Sequence, residues 1–330
     1  MPDVPRRFRP PGPLGFGGAP LGNMFAPVDE DTAEAALEAA WDSGVRYFDT
    51  APHYGSGLSE HRFGRVLRRR ERRDFVLSTK VGRLLLPDET KPENPPFVQS
   101  GMPFRPVYDY SADGARRSIE DSLQRLGLAR IDIVYIHDIA EDHHGALWSE
   151  MFETAMAGAA VALTRLREEG VIRAWGLGVN LTEPCLRALR MADPDVFLLA
   201  GRYSLLDLAG LDALFPACAE RGVSVVVGGP YNSGLLAGGS TFDYAPAEPE
   251  TVAARDRIAA LCKETGVDIR AAALQFCAAH PVVASVIPGA KSADKVRLNA
   301  ELMRQPIPAA FWQRLKAEGI LPDHAPTPAG

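Results

Sequence analysis

The chain has 330 residues, 46% hydrophobic and 24% charged, which suits a folded globular protein and excludes collagen, coiled coil and bulk disorder. Its 36 Lys and Arg against 42 Asp and Glu give a net charge of −6, with no extended cationic field for nucleic acid or anionic lipid. No run approaches the roughly 20 apolar residues of a membrane span, and the basic start MPDVPRRFRPPGPLGF lacks the apolar core of a signal peptide.

A short apolar run followed by an amphipathic stretch recurs along the whole chain. Strands are expected at 14–18, 45–49, 75–80, 131–137, 173–179, 195–200, 223–228 and 282–287. Their continuous Val, Ile, Leu and Phe content fits parallel strands buried on both faces. Between them, the spacing predicts helices over 30–43 (Asp29 as N-cap, Gly44 as stop), 111–126 (Ser111 to Gly127) and 211–221 (stopping at Gly222). Eight strand–helix units in series indicate one (β/α)₈ barrel domain, because each right-handed crossover adds a parallel neighbour. Residues 1–13 form an N-terminal extension and 324–330 a tail. Two connections are long: 84–110, with six prolines, and 229–249. Both follow strands, so both are expected as irregular loops closing over the C-terminal face, where barrel active sites lie. The four cysteines (Cys185, Cys218, Cys262 and Cys277) form no C-x-x-C pair and read as reduced core thiols of a cytoplasmic protein.

Polar groups that end apolar strands are the candidates for chemistry. Asp49 ends the second strand, with Tyr54 five residues on; Lys80 ends the third and His137 the fourth. Each alone suits a structural role. Together they suit proton transfer to or from a carbonyl or alcohol oxygen. A lysine ammonium favours a phenolate, and a carboxylate beside the lysine keeps it charged. His143 and His144 have no ligand-spaced partner, so no metal site is expected. GFGGAP and GLGVNL both miss the third glycine of the dinucleotide fingerprint, which argues against a Rossmann dehydrogenase.

The segments LGFGGAPLG, GVRYFDTAPHYG, VLSTKVG, DIVYIHD, IRAWGLGVN and VIPGAKSADKVRLNAEL occur in the order of the aldo-keto reductase superfamily, which the chain resembles over nearly its whole length. The resemblance implies a (β/α)₈ barrel binding NAD or NADP and a tetrad of Asp49, Tyr54, Lys80 and His137. Tyr54 would be the general acid/base, its pKa lowered by Lys80; Asp49 would hold the lysine, and His137 would orient the substrate oxygen. The implied cofactor contacts begin with Gly18, Asp49 and Asn180. Gly228, Pro230, Gly234 and Leu236 would follow in and after the seventh strand, and Ile287, Gly289, Lys291, Ser292, Lys295 and Asn299 in the final segment. The usual glutamine of the sixth strand is Ala200 here, and the usual stacking tyrosine of the seventh is Gly228, which leaves Tyr231 as a possible support for the ring. NADP-preferring relatives commonly carry a basic residue where this chain has Gly289, so NAD is the expected cofactor, with NADP the alternative.

Within the superfamily the chain looks close to D-threo-aldose (L-fucose) and pyridoxal dehydrogenases, on GFGGAPLGN, VGRLL, LLAGRYSLL and NSGLL. That implies oxidation of an aldose at C1 to the lactone, with pyridoxal or a simple aldehyde or ketone as alternatives. His53, Tyr54, His137, Asp138 and Tyr231 would face the small-molecule substrate. A non-catalytic redox-sensing subunit is the competing class, and the intact tetrad argues against it. A barrel metal hydrolase would need an H-x-H pair ending an early strand, and none occurs. The sequence leaves the oligomeric state open.

Overall fold

The computed structural model describes residues 7–91, 94–98 and 102–329. Parts of three expected features fall outside them: residues 1–6 of the extension, 92–93 and 99–101 of the first long connection, and Gly330 of the tail. The barrel strands are β1 (Phe16–Gly17), β2 (Tyr47–Asp49), β3 (Val76–Val81), β4 (Ile133–His137), β5 (Ala174–Val179), β6 (Val196–Ala200), β7 (Ser224–Gly228) and β8 (Val283–Ile287). They form one eight-stranded sheet in chain order, and every neighbour is parallel. Parallel bridges from Leu14 to Val286 and from Gly17 to Gly289 bring the first strand against the last and close the (β/α)₈ barrel.

Side chains alternate along each strand between the barrel interior and the surrounding helices. Tyr47, Val76, Ile133, Tyr135, Val196 and Val226 pack together inside. Their neighbours one residue away, including Phe48, Leu77, Val134, Ile136, Phe197 and Val225, pack outward against the helices. The same parity carries Asp49, Lys80 and His137 into the top interior layer, two residues beyond Tyr47, Ser78 and Tyr135.

The helices begin and end where local chemistry directs. Asp29 caps Glu30–Asp42 by accepting from the Thr32 amide at 2.7 Å, and Ser111 caps Ala112–Leu126 by accepting from Gly114 at 3.0 Å. The third expected helix starts three residues late, at Leu214, after a turn over 209–213, and Ala213 before it supplies no side-chain cap. No helix among the described residues is long and apolar enough to cross a membrane. All four cysteines are free and buried.

Both long connections carry more order than expected. The first is not an irregular loop: Arg83–Pro87 pairs antiparallel with Phe104–Tyr108, with Arg83 opposite Tyr108. The second contains a 3₁₀ turn, Leu235–Ala237, and a short ladder of Thr241–Phe242 with Ala245–Pro246. At the opposite end of the barrel, the described part of the extension packs Phe8 against the interior cluster and ties Arg7 to Asp193.

Candidate active site

The top interior layer is a connected set of polar groups. Lys80 Nζ donates to Asp49 Oδ2 at 2.7 Å and to the Thr50 carbonyl at 3.0 Å, and it lies over the Tyr54 ring, 4.6 Å from its centre. Gly178 makes the lysine's path possible: a Cβ there would meet Lys80 Cε at 3.4 Å and Tyr135 Cβ at 3.3 Å. Ser78 Oγ donates to Asp49 Oδ1 at 2.6 Å. Beneath it, the Tyr47 hydroxyl lies 3.0 Å from Ser78 Oγ and 3.1 Å from the Tyr135 hydroxyl. The Tyr54 and His137 rings meet edge to face with centres 5.8 Å apart. The four expected catalytic groups therefore converge at one place.

Burial dominates their protonation. It pushes the Asp49 carboxyl up, against the opposing pull of Lys80 and Ser78. Burial also holds the His137 imidazole well below its ordinary range, and Arg83 and Lys80 add to the effect, so the ring is neutral. For Tyr54 the expectation of a lowered pKa is reversed. Burial, then Asp49 and Asp138, push the phenol well above its ordinary value, and Arg83 is the cation that opposes them. Lys80 is engaged by Asp49 at 2.7 Å, and that same carboxylate is among the groups that push the phenol up.

A second polar layer flanks the first. Arg83 Nη1 donates to Asp138 Oδ2 at 2.7 Å, and Nη2 donates to the Tyr108 hydroxyl at 3.0 Å. His137 Nε2 and His143 Nε2 lie 3.5 and 3.3 Å from the same Asp138 oxygen. Burial lowers the His143 pKa, but Asp142 and Asp138 outweigh it and the net shift is upward. His53 packs edge to face on Phe97, with ring centres 5.1 Å apart, and the Phe97 ring also lies 5.5 Å from that of Tyr54.

From Asp49 and Tyr54 a cleft of about 390 Å³ runs across the C-terminal ends of β6, β7, β8 and β1. Gly18 and Ile287 line its floor beside Asp49 and Tyr54. Gly228, Pro230, Tyr231 and Gly234 form one wall, while Gly289, Lys291, Lys295 and Asn299 occupy the far end. The Tyr231 hydroxyl donates to Asn299 Oδ1 at 2.8 Å. Lys291 and Lys295 make no ion pair with a described residue, so the far end presents two uncompensated cations near the N-terminus of the helix Ala293–Arg304. A cleft lined by the small residues Ala200 and Gly228 as well as by two cations near a helix N-terminus fits a dinucleotide with its anionic pyrophosphate.

Three residues expected in the cleft do not line it. Leu236 is fully buried in the hydrophobic core. Ser292 is the N-cap of the helix Ala293–Arg304. Asn180 stands just beyond β5 and donates to Asp142 Oδ2 at 2.9 Å. His53, Lys80, His137 and Asp138 lie outside the cleft lining, beside Tyr54 in the polar layers described above.

Sequence reading missed Ser78, Tyr47, Tyr135 and Arg83. The first three each lie two residues before a tetrad member, so strand alternation was the signal that could have found them. Arg83 carried no such signal, because it opens a hairpin hidden in a proline-rich segment. Across the cleft, Arg202 grips Asp243 through both terminal nitrogens at 2.9 and 2.7 Å, holding the second hairpin where Tyr244 approaches Phe25, with ring centres 6.4 Å apart.

Comparison with known proteins agrees with this geometry. The model of the aldo/keto reductase family matches residues 13–319. The chain is 44% identical over 325 residues to a pyridoxal 4-dehydrogenase of Microbacterium luteolum, covering 93% of this chain and 94% of that protein. It is 40% identical over 320 residues to a D-threo-aldose 1-dehydrogenase of a Pseudomonas species, covering 94% of each. An aldo-keto reductase from Bacillus halodurans, solved in its holo form, superposes with a TM-score of 0.70 at 28% identity, over 94% of this chain and 95% of that one.

Proposed function

The chain belongs to the aldo/keto reductase family and is an oxidoreductase of nicotinamide chemistry, and from that premise we propose that it oxidises an aldose of the L-fucose, or D-threo, type at C1 to the lactone. The observation that carries this reading is the pairing of the tetrad with a second polar layer. Tyr54 and His137 meet edge to face, and the Asp138, Arg83 and His143 layer behind them makes the surroundings of the reacting carbon polar, which suits a polyol.

In the proposed reaction a cyclic hemiacetal enters with its C1 hydroxyl between Tyr54 and His137. The Tyr54 phenolate takes the hydroxyl proton, and neutral His137 orients the same oxygen. A nicotinamide held in the cleft beside Tyr54, with Lys291, Lys295 and Asn299 lining the same cleft, would supply the acceptor for the C1 hydrogen as hydride. As the C1–H and O–H bonds break, the C1 oxygen would become the lactone carbonyl, with the hydride going to the cofactor and the hydroxyl proton leaving through Tyr54. Lys80 holds positive charge beside the phenol, and Asp49, with Ser78 behind it, fixes the lysine. In the reverse direction protonated Tyr54 donates to a carbonyl oxygen.

We assign NAD as the preferred cofactor, because Gly289 and Ala290 follow Ile287–Pro288 and offer no charge to a 2′-phosphate there. Losing one charge-assisted contact is worth about 1.5–3 kcal/mol, or roughly ten- to a hundredfold in affinity. Lys291 and Lys295 are the residues through which NADP would be accepted. The four buried free cysteines suit a reducing compartment, and we place the enzyme in the cytoplasm.

One observation favours a second substrate. Buried Phe97 packs on both His53 and Tyr54 and makes their surroundings aromatic, which suits the flat ring of pyridoxal. The test is a panel of L-fucose, D-arabinose, L-galactose, pyridoxal and simple aldehydes, followed at 340 nm with each nicotinamide cofactor. Faster oxidation of a sugar than of pyridoxal supports the aldose reading. Faster oxidation of pyridoxal replaces it.

A further inference from the structure

Arg83 opens a hairpin that, among the described residues, forms its own two-stranded sheet with no ladder to a barrel strand. Its side chain is nevertheless 5% exposed, against a carboxylate, Asp138, that is 9% exposed. Withdrawing two charges from water costs several kcal/mol per ion even after relaxation, so such a pair is weak support for stability. Asp138 is also held at φ +52°, in the left-handed region that a non-glycine residue enters at a cost. These costs fall on the residue that follows His137. The arrangement connects the hairpin to the tetrad: Tyr108 to Arg83, Arg83 to Asp138, and Asp138 to His137, whose ring meets Tyr54.

We propose that Arg83 is a positioning residue for proton transfer: acting through Asp138, it fixes the His137 imidazole against Tyr54 and balances the carboxylate beside them. This rests on Tyr54 and His137 being the proton-transfer pair. The groups facing Tyr54 are Asp49 and Tyr47 on β2, Lys80 on β3, His137 at the end of β4 and Asp138 just beyond it, Arg83 from the first hairpin, Tyr244 from the second, and neighbouring His53. Those facing His137 are Lys80, Arg83, His53, Asp138 and His143, with the Tyr110 hydroxyl donating to its carbonyl at 2.9 Å. Within this set Arg83 favours the phenolate and the neutral imidazole, while Asp138 raises the phenol's pKa. Removing Arg83 alone takes away the guanidinium that Asp138 binds at 2.7 Å and leaves the buried carboxylate beside both groups with His143 as its remaining cationic partner.

The experiment compares Arg83→Met, Arg83→Lys, Asp138→Asn and the Arg83→Met/Asp138→Asn double variant, with two readouts. The first, independent of any substrate, is the titration of ¹⁵N-labelled imidazoles by NMR. The His137 midpoint should rise by about one pH unit in Arg83→Met and return toward wild type in Arg83→Lys and in the double variant. The second is the pH profile of kcat on the best substrate of the panel. Arg83→Met should lower kcat at pH 7 by about tenfold and shift the alkaline limb upward, with the cofactor KM nearly unchanged. Asp138→Asn should shift that limb downward. Limbs moving the same way in Arg83→Met and Asp138→Asn, or imidazoles that titrate as in wild type, overturn the proposal. If Arg83→Met does not fold, Arg83→Lys and Asp138→Asn decide it through the same opposed shifts. Shifted imidazoles in a protein that oxidises nothing in the panel would uphold the role of Arg83 and defeat the proposed reaction.

Discussion

The ammonium of Lys80 lies over the face of the Tyr54 ring, 4.6 Å from its centre. Asp49 Oδ2 and the Thr50 carbonyl hold it there, so the lysine is fixed before any substrate arrives. Both members of the Lys80–Asp49 pair are almost completely buried. Lys80→Met should therefore leave an unpaired buried carboxylate and destabilise the fold by about 3–5 kcal/mol. Lys80→Met/Asp49→Asn should be more stable than Lys80→Met alone. Urea denaturation measures both, and equal loss in the two variants would contradict the pairing.

Tyr54→Phe removes one hydroxyl and leaves the ring contacts with Phe97 and His137 in place. The expected result is a fall in kcat of about 10² or more with cofactor affinity preserved. Steady-state kinetics and quenching of protein fluorescence by the cofactor separate the two effects. A variant that keeps most of its turnover would remove Tyr54 from the reaction.

The pH dependence has a definite sign. Burial holds the Tyr54 phenol above its ordinary pKa, so the phenolate needed for oxidation is scarce at neutral pH. Its population grows about tenfold per pH unit below the pKa, so kcat/KM for oxidation should climb from pH 7 to about 10 without levelling. Carbonyl reduction uses the protonated phenol and should stay flat over the same interval. An oxidation profile that levels near neutrality would indicate a different base.

Acid stability follows from His53. Burial first, then Arg83, depress its pKa to about 3 in the folded protein. The unfolded chain takes up that proton near pH 6.5 while the native state refuses it. The stability contributed is therefore complete above about pH 6.5 and is lost as pH falls toward about 3, at no more than about 1.4 kcal/mol per unit. His53→Gln should flatten the decline in denaturation midpoint between pH 7.5 and 5.5. An unchanged slope would show that other histidines account for it.

The narrow end of the cleft gives a cofactor prediction. A Cβ at Gly289 would come within 2.7 Å of the Pro20 ring. Gly289→Val should force that wall to move and raise the cofactor KM by about tenfold, an effect of roughly 1.4 kcal/mol. Lys295→Ala should raise the same constant by removing a cleft cation. If initial rates show the cofactor KM unchanged in both variants, the cofactor lies elsewhere.

Much of this architecture was legible because buried parallel strands read as continuous apolar runs, and because Asp29 and Ser111 mark helix starts with their own side chains. The convergence of the tetrad was legible because Asp49, Lys80 and His137 are polar residues at the ends of such runs and Tyr54 follows the first of them by five residues. Arg83 was not, since a hairpin of LLLP against FRPVY within a proline-rich segment gives no alternation that separates strand from loop. The pairing of Asn180 with Asp142 depends on two βα connections meeting in space, and the burial of Leu236 depends on a 3₁₀ turn that folds back onto the core. Neither follows from local spacing. The direction of the Tyr54 shift differs from the expectation for a related reason: the motif names Lys80 and Asp49 but not the depth of burial, which is the largest cause.

The most direct measurement is a single turnover of L-fucose carrying deuterium at C1 in the presence of NAD, with mass analysis of the products. Hydride transfer from the anomeric carbon should yield a reduced nucleotide heavier by one deuterium and an unlabelled lactone, at a rate slowed by the label in wild type and nearly abolished in Tyr54→Phe. Reduced nucleotide without deuterium, or no lactone while pyridoxal is turned over, would contradict oxidation of an aldose at C1.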